Sequence, residues 1–215
     1  MIMYKKEIKP QNEINPVYQT KPIIAFEFAK TPAEINQLFF NKDKQVINKA
    51  FVDKMKELNY IDFIFIISYS LILLYFSLTI AQNKLAVLGY IGASIAVIVG
   101  IADILENFQL LGILDKLKPS ESYEPELSNL YIWTWTKWGL ISVLIIVVLP
   151  CLFRQQSSIF TLALGVIMSI VAILGFVAYF SQCQTWISHY TGSIFLLFFI
   201  IILYSLARWR MWIKS

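Results

Sequence analysis

Apolar residues fall along this chain in long, nearly unbroken runs from Tyr60 onward, without the alternation of a half-buried strand or the spaced stripe of a soluble amphipathic helix. A hydrocarbon core about 30 Å thick needs roughly 20 such residues per helix. Five runs meet that length, at about 60–81, 85–114, 132–153, 158–180 and 186–207. Three of the connections, "QNK", "RQQSS" and "SQCQT", are simple reversals. The stretch at 115–130, "DKLKPSESYEPELSNL", has two prolines, serines and acids, and reads as a solvated loop. The pattern predicts an all-α integral membrane protein with about five transmembrane helices. A cytoplasmic N-terminal segment, 1–59, precedes the helical bundle, 60–215.

Before the first span, Thr31, Pro32 and Glu34 have the spacing of a capping box, with the hydroxyl at N-cap, proline at N1 and the carboxylate at N3. A short helix should start there and carry Ile35, Leu38 and Phe39 on one face. Residues 44–59 should be helical and run on into the first span. "KPIIAFEFAK", just before the cap, suits either an extended or an interfacial segment.

Composition sharpens this picture. The chain is 58% hydrophobic and 15% charged, far from the balance of a soluble domain. Ten of its 18 Lys and Arg residues and seven of its 14 acids lie before Tyr60. "MIMYKKEIKPQNEINP" has neither an apolar h-region nor a small-residue cleavage site, so the first span is expected to direct insertion. Lys42, Lys44, Lys49, Lys54 and Lys56 precede span one, and Lys116, Lys118 and Lys137 lie between spans two and three; these ends should be cytoplasmic. The basic tail with Arg208, Arg210 and Lys214 disagrees with that rule for an odd number of spans. Cys151 and Cys183 fall at opposite membrane faces and read as two buried apolar thiols.

The polar residues inside the spans are the candidates for chemistry. At about 100° per residue, Gly92, Ala96, Gly100, Asp103, Glu106 and Asn107 occupy an arc of about 120° on the second helix. The small residues allow another helix to approach closely, which places the carboxylates at a helix junction instead of in lipid. Chain parity brings Asp62, Asp103, Glu106, Asn107, Lys137, His189 and Tyr190 to one membrane side. A cytoplasmic polar pocket built from Asp62, Asp103, Glu106, Asn107, Lys137 and His189 is the expectation, since ionisable groups in spans cost energy unless paired or hydrated. The same groups equally suit an ordinary packing salt bridge from Lys137 to the carboxylates. Thr185, His189 and Ser193 share one stripe of the fifth helix. Trp133, Trp135, Trp138 and Trp186 read as interfacial belt residues.

Three kinds of function fit these positions. The leading one is non-enzymatic: the pocket binds a small cation, a proton or a lipid headgroup, with Lys137 setting the ionisation of the carboxylates and His189 responding to pH. The second is a metal-dependent membrane hydrolase acting on a lipid, with Asp103, Glu106 and His189 as ligands; the Asp-x-x-Glu spacing is compatible with a divalent metal, although no cofactor is otherwise expected. The third is a homo-oligomeric pore or membrane effector, suggested by small residues at Gly92/Ala96/Gly100 and Gly165/Gly175. The chain has no Gly-x-Ser-x-Gly elbow and no phosphate-binding loop. Membrane lipids and a second copy of the chain are the expected partners. Nucleic acid is not, because the N-terminal lysines are interleaved with acids.

The segments "IIAFEFAKTPAEINQLF", "IDFIFIISYSLIL", "ADILENFQLL" and "TKWGLISVLI" resemble a group of uncharacterised bacterial multi-pass membrane proteins with an Ala-Asp-x-x-Glu-Asn helix and no assigned activity. The resemblance covers about residues 22–145. It implies a bacterial inner-membrane location and marks Glu27, Asp62, Asp103, Glu106, Asn107 and Lys137 as the group's polar positions.

Overall fold

The computed structural model describes residues 21–40, 46–80, 85–118, 122–154 and 159–213, with side chains through 206. Lys42, Lys44, Lys84 and the tail charges therefore lie outside the described residues or side chains. Helices account for the regular structure of these segments: α1 (Pro22–Glu27), α2 (Pro32–Phe39), α3 (Lys49–Ile80), α4 (Ala86–Asp115), α5 (Glu124–Arg154), α6 (Ile159–Ser181) and α7 (Gln184–Ile213). The last five are long and apolar enough to cross a membrane, α7 over Gln184–Leu206. This is an all-α architecture with five candidate spans, at nearly the positions the apolar runs predict.

The chain divides into two compact units, and the division cuts across three of the long helices. The first unit is Met1–Ile64 with Ile104–Thr134; the second is Phe65–Asp103 with Trp135–Ser215. Residues 59 and 60 lie inside α3, which runs unbroken from the polar segment into the first span, as expected for 44–59; Asn48 caps its start, its side-chain oxygen accepting from Phe51 N–H at 3.2 Å.

In the first unit, the capping box forms as the spacing requires: Thr31 Oγ1 accepts from Glu34 N–H at 3.3 Å, and Glu34 Oε2 accepts from Thr31 N–H at 3.1 Å. Ile35, Leu38 and Phe39 are all buried. They join Phe26, Phe51, Met55, Leu110, Ile113 and Leu130 in one apolar core. The ring of Phe39 meets Phe26 edge-on at 5.0 Å and Phe51 at 5.3 Å. "KPIIAFEFAK" is mostly helix, since Pro22 opens α1 and Ala25 and Phe26 find this core. The loop expected over 115–130 is only partly a loop. Glu124 already begins α5, with Pro125 and two acids in its first turn, and Leu127 and Leu130 enter the core. The Tyr123 hydroxyl donates to Asn36 Oδ1 at 3.1 Å. Burial raises its ionisation above the ordinary tyrosine range.

The second unit is packed through small residues. A Cβ on Gly100 would come within 2.5 Å of Ser70 Oγ, and one on Gly92 within 2.7 Å of Val148. One on Gly165 would meet Phe153, and one on Gly175 would run into Ser142 and Tyr190. The small-residue faces are thus consumed within the chain, which removes their value as an argument for a second copy. Ser142 Oγ, Tyr190 Oη and the Trp138 carbonyl form a buried chain of hydrogen bonds, with Tyr190 donating to the carbonyl at 2.6 Å. Outward faces are apolar, as lipid requires, with Phe180 78% and Val87 66% exposed. Several hydroxyls bond their own helix, among them Thr79 to the Tyr75 carbonyl and Ser94 to that of Tyr90.

Trp135 and Trp138 are buried, so they are core residues and not belt residues. Trp135 packs edge-on against Tyr179 and Trp138 against Tyr190, the small Gly175 leaving room for the tyrosine. Trp186 is exposed, as a belt position would be. Cys151 is buried but Cys183 is exposed, because it lies in the reversal between α6 and α7.

Candidate functional site

Five of the expected site residues fall into two clusters, one in each unit. In the second unit, α4 presents Asp103 and α5 presents Lys137, whose Nζ lies 3.0 Å from Asp103 Oδ1. Both side chains are 6% exposed. The other carboxylate oxygen accepts from the Tyr69 hydroxyl of α3 at 2.6 Å. The Tyr69 ring stacks on Phe198 of α7 at 5.4 Å. The Lys137 ammonium also lies 5.0 Å from the Trp138 ring centroid, within reach of the ring's negative face. Both oxygens of Asp103 are thus engaged and its charge is balanced.

In the first unit, Glu106 and Asn107 of α4 are buried. Asn107 Nδ2 donates to Asp62 Oδ2 of α3 at 2.9 Å. Glu106 Oε1 lies 2.5 Å from Thr134 Oγ1 of α5. That hydroxyl is also 3.0 Å from the backbone carbonyl of Glu27, at the end of α1. Thr134 therefore touches a carboxyl on one helix and the main chain of another.

The helix geometry explains these groupings. Asp103 and Glu106 are three residues apart on α4, a spacing that puts side chains on one face. Thr134 and Lys137 repeat it on α5. Thr134 and Tyr69 were not among the expected site residues, yet "TWTKW" places Thr134 on the face of Lys137, a signal the sequence does contain.

His189 joins neither cluster. Its side chain is exposed, its ring faces Trp186 at 6.1 Å, and its carbonyl accepts from Ser193. The buried face of α7 is set by Ile187, Tyr190, Ile194, Leu197 and Ile201, spaced three and four apart, which turns His189 to the other side. Of the expected metal ligands in the second unit, Asp103 is bonded by Lys137 and Tyr69 and His189 is exposed. Among the described residues, no three His, Cys, Asp or Glu side chains gather as metal ligands.

Fold and clusters together define a class: a five-span helical membrane protein that keeps ionisable side chains buried and individually bonded. Comparison of the chain with protein-family models, with curated proteins and with solved structures finds no match.

Proposed function

We propose that this chain is a non-enzymatic membrane protein whose buried carboxyl groups take up a proton or a small cation. The supporting observation is enclosure: Asp103 is 4%, Asn107 2% and Glu106 0% exposed. Groups so enclosed suit the smallest ligands; a lipid headgroup would need an open face. Ionisable residues in spans are costly to maintain, and the resemblance of "ADILENFQLL" to the bacterial group points to the same positions. A fully bonded packing cluster is the competing reading. To separate the two, the full chain is reconstituted in liposomes and proton uptake after a pH step is followed with an indicator dye. Uptake by the wild type that is lost in Glu106→Gln is the expected result. No uptake by the wild type, and no competition by added monovalent or divalent cations, would leave only the packing role.

The same reading places the protein in a bacterial inner membrane with its N-terminus cytoplasmic, on the strength of Lys49, Lys54, Lys56, Lys116 and Lys118. Backbone N–H groups of Thr185, then Trp186, hold the Cys183 thiol below the usual thiol range, and it is exposed. A membrane-impermeant maleimide should therefore label Cys183 in inside-out vesicles and spare it in intact cells. Labelling of intact cells at this residue would reverse the orientation.

A further inference from the structure

The outward faces of the first unit change from polar to apolar partway along each long helix. On α3 the exposed positions before Tyr60 are Lys49, Ala50, Asp53, Lys54 and Glu57, and from there to the unit's edge they are Tyr60, Ile61 and Ile64. On α5, Glu124, Pro125, Ser128 and Asn129 give way to Tyr131 and Ile132. On α4 the exposed Asp115 stands about two turns from the exposed Phe108. Asn107 reaches Asp62, and Glu106 reaches Thr134, just inside these points, so the three switches lie at one level. From there to Ile80, Ala86 and Arg154 each helix keeps roughly 20 residues, the number a hydrocarbon core requires. Tyrosines at the switch suit the headgroup boundary. The charged stretch of α3 outside it, Lys49 to Tyr60, is about 16 Å long.

Two contacts hold α1 to that level. Thr134 Oγ1, about one turn to the membrane side of Tyr131, lies 3.0 Å from the Glu27 carbonyl at the end of α1. Just past the helix, Lys30 Nζ lies 6.0 Å from the Tyr131 ring centroid. Between Ile23 and Glu27 the helix rises only about 6 Å. The headgroup layer adds about 5–7 Å on each side of the hydrocarbon core, so Ile23 stays near that layer whichever way α1 points. Its side chain is 39% exposed, while Ala25, Phe26 and Glu27 are buried. We infer that α1 is an in-plane contact with phospholipid, Ile23 turned to the acyl boundary and Lys30 at the level of the phosphates. An apolar side chain beside an ammonium is the combination such a boundary accepts. Of the acids in this segment, Glu27 is buried, and Glu34 Oε2 accepts from the N–H groups of Lys30 and Thr31 in the α2 cap. The charged ends of α3, α4 and α5 then stand in water, and α1 seats the unit on the bilayer.

Nitroxide labels on single cysteines test this in the full chain in lipid nanodiscs, with Cys183→Ser removing the exposed native thiol and Cys151 left buried. Collision of each label with oxygen, which partitions into lipid, is compared with its collision with a water-soluble nickel chelate. Ile61→Cys and Asn129→Cys, on opposite sides of the switch, serve as the lipid and water references. The oxygen-to-nickel ratio at Ile23→Cys should be several-fold above that at Asn129→Cys and approach that at Ile61→Cys. Lys30→Cys, which removes no core contact, should fall between the two references. A ratio at Ile23 or Lys30 equal to that at Asn129 puts α1 in water and overturns the inference. A label at Ile23 shielded from both reagents overturns it as well, because protein and not lipid then covers α1. Equal ratios at Ile61 and Asn129 would remove the boundary itself.

Discussion

Replacing Lys137 with methionine is expected to cost about 3–5 kcal/mol of stability, the range for removing one partner of a buried ion pair. The change removes the ammonium 3.0 Å from Asp103 and strands a carboxylate whose side chain is 6% exposed. Tyr69, donating to the other oxygen at 2.6 Å, cannot neutralise the charge. The pair itself is worth far less than its disruption costs, because two charges must be desolvated to make it. The double variant Lys137→Met with Asp103→Leu should therefore recover most of the loss. Stability is measured by reversible denaturation in mixed micelles. A single variant within about 1 kcal/mol of wild type, where an exposed pair would fall, would mean that the charges are solvated and the cluster is not enclosed.

Phe39→Ala should be comparably severe but local, at about 3–5 kcal/mol for a fully buried aromatic ring. Phe39 is 0% exposed and lies against Phe26 and Phe51, so its removal opens a cavity where α1, α2 and α3 meet. None of the apolar runs that cross the membrane is altered. Protein should still reach the membrane fraction, while trypsin cuts faster at the exposed Lys30 between α1 and α2. An unchanged digestion pattern would show that these helices are held by something other than this core.

The sequence makes the spans and the α2 cap plain, because each rests on one strong local rule: hydrocarbon thickness for the former, and the geometry of Thr31 and Glu34 for the latter. The pairing of Lys137 with a carboxylate was readable for a related reason, since a charge inside a span must find a counter-charge. Rotation of a span is harder to read. In a membrane both the lipid face and the packed face are apolar, so polarity does not say which way His189 turns. The deciding residues on α7 are Tyr190, packed beside Gly175, and the apolar side chains spaced with it. Thr134 was hidden because a hydroxyl in a span commonly bonds its own helix, as Thr79 does. Only the approach of α1 gives Thr134 a different partner. The partial misreading of 115–130 has a simple cause: Pro125 reads as a breaker, yet in a first turn it is a helix starter.

The reversal between α6 and α7 consists of Gln182 and Cys183 alone. Gln182 adopts φ 51, in the left-handed region, and its side-chain amide donates to the Tyr179 carbonyl at 2.6 Å, satisfying an acceptor that the end of a helix leaves open. So short a tether gives α7 little freedom to leave α6 once the latter is in the bilayer. The last two spans are therefore tied into a single hairpin, so that neither can shift along its axis without pulling on the other.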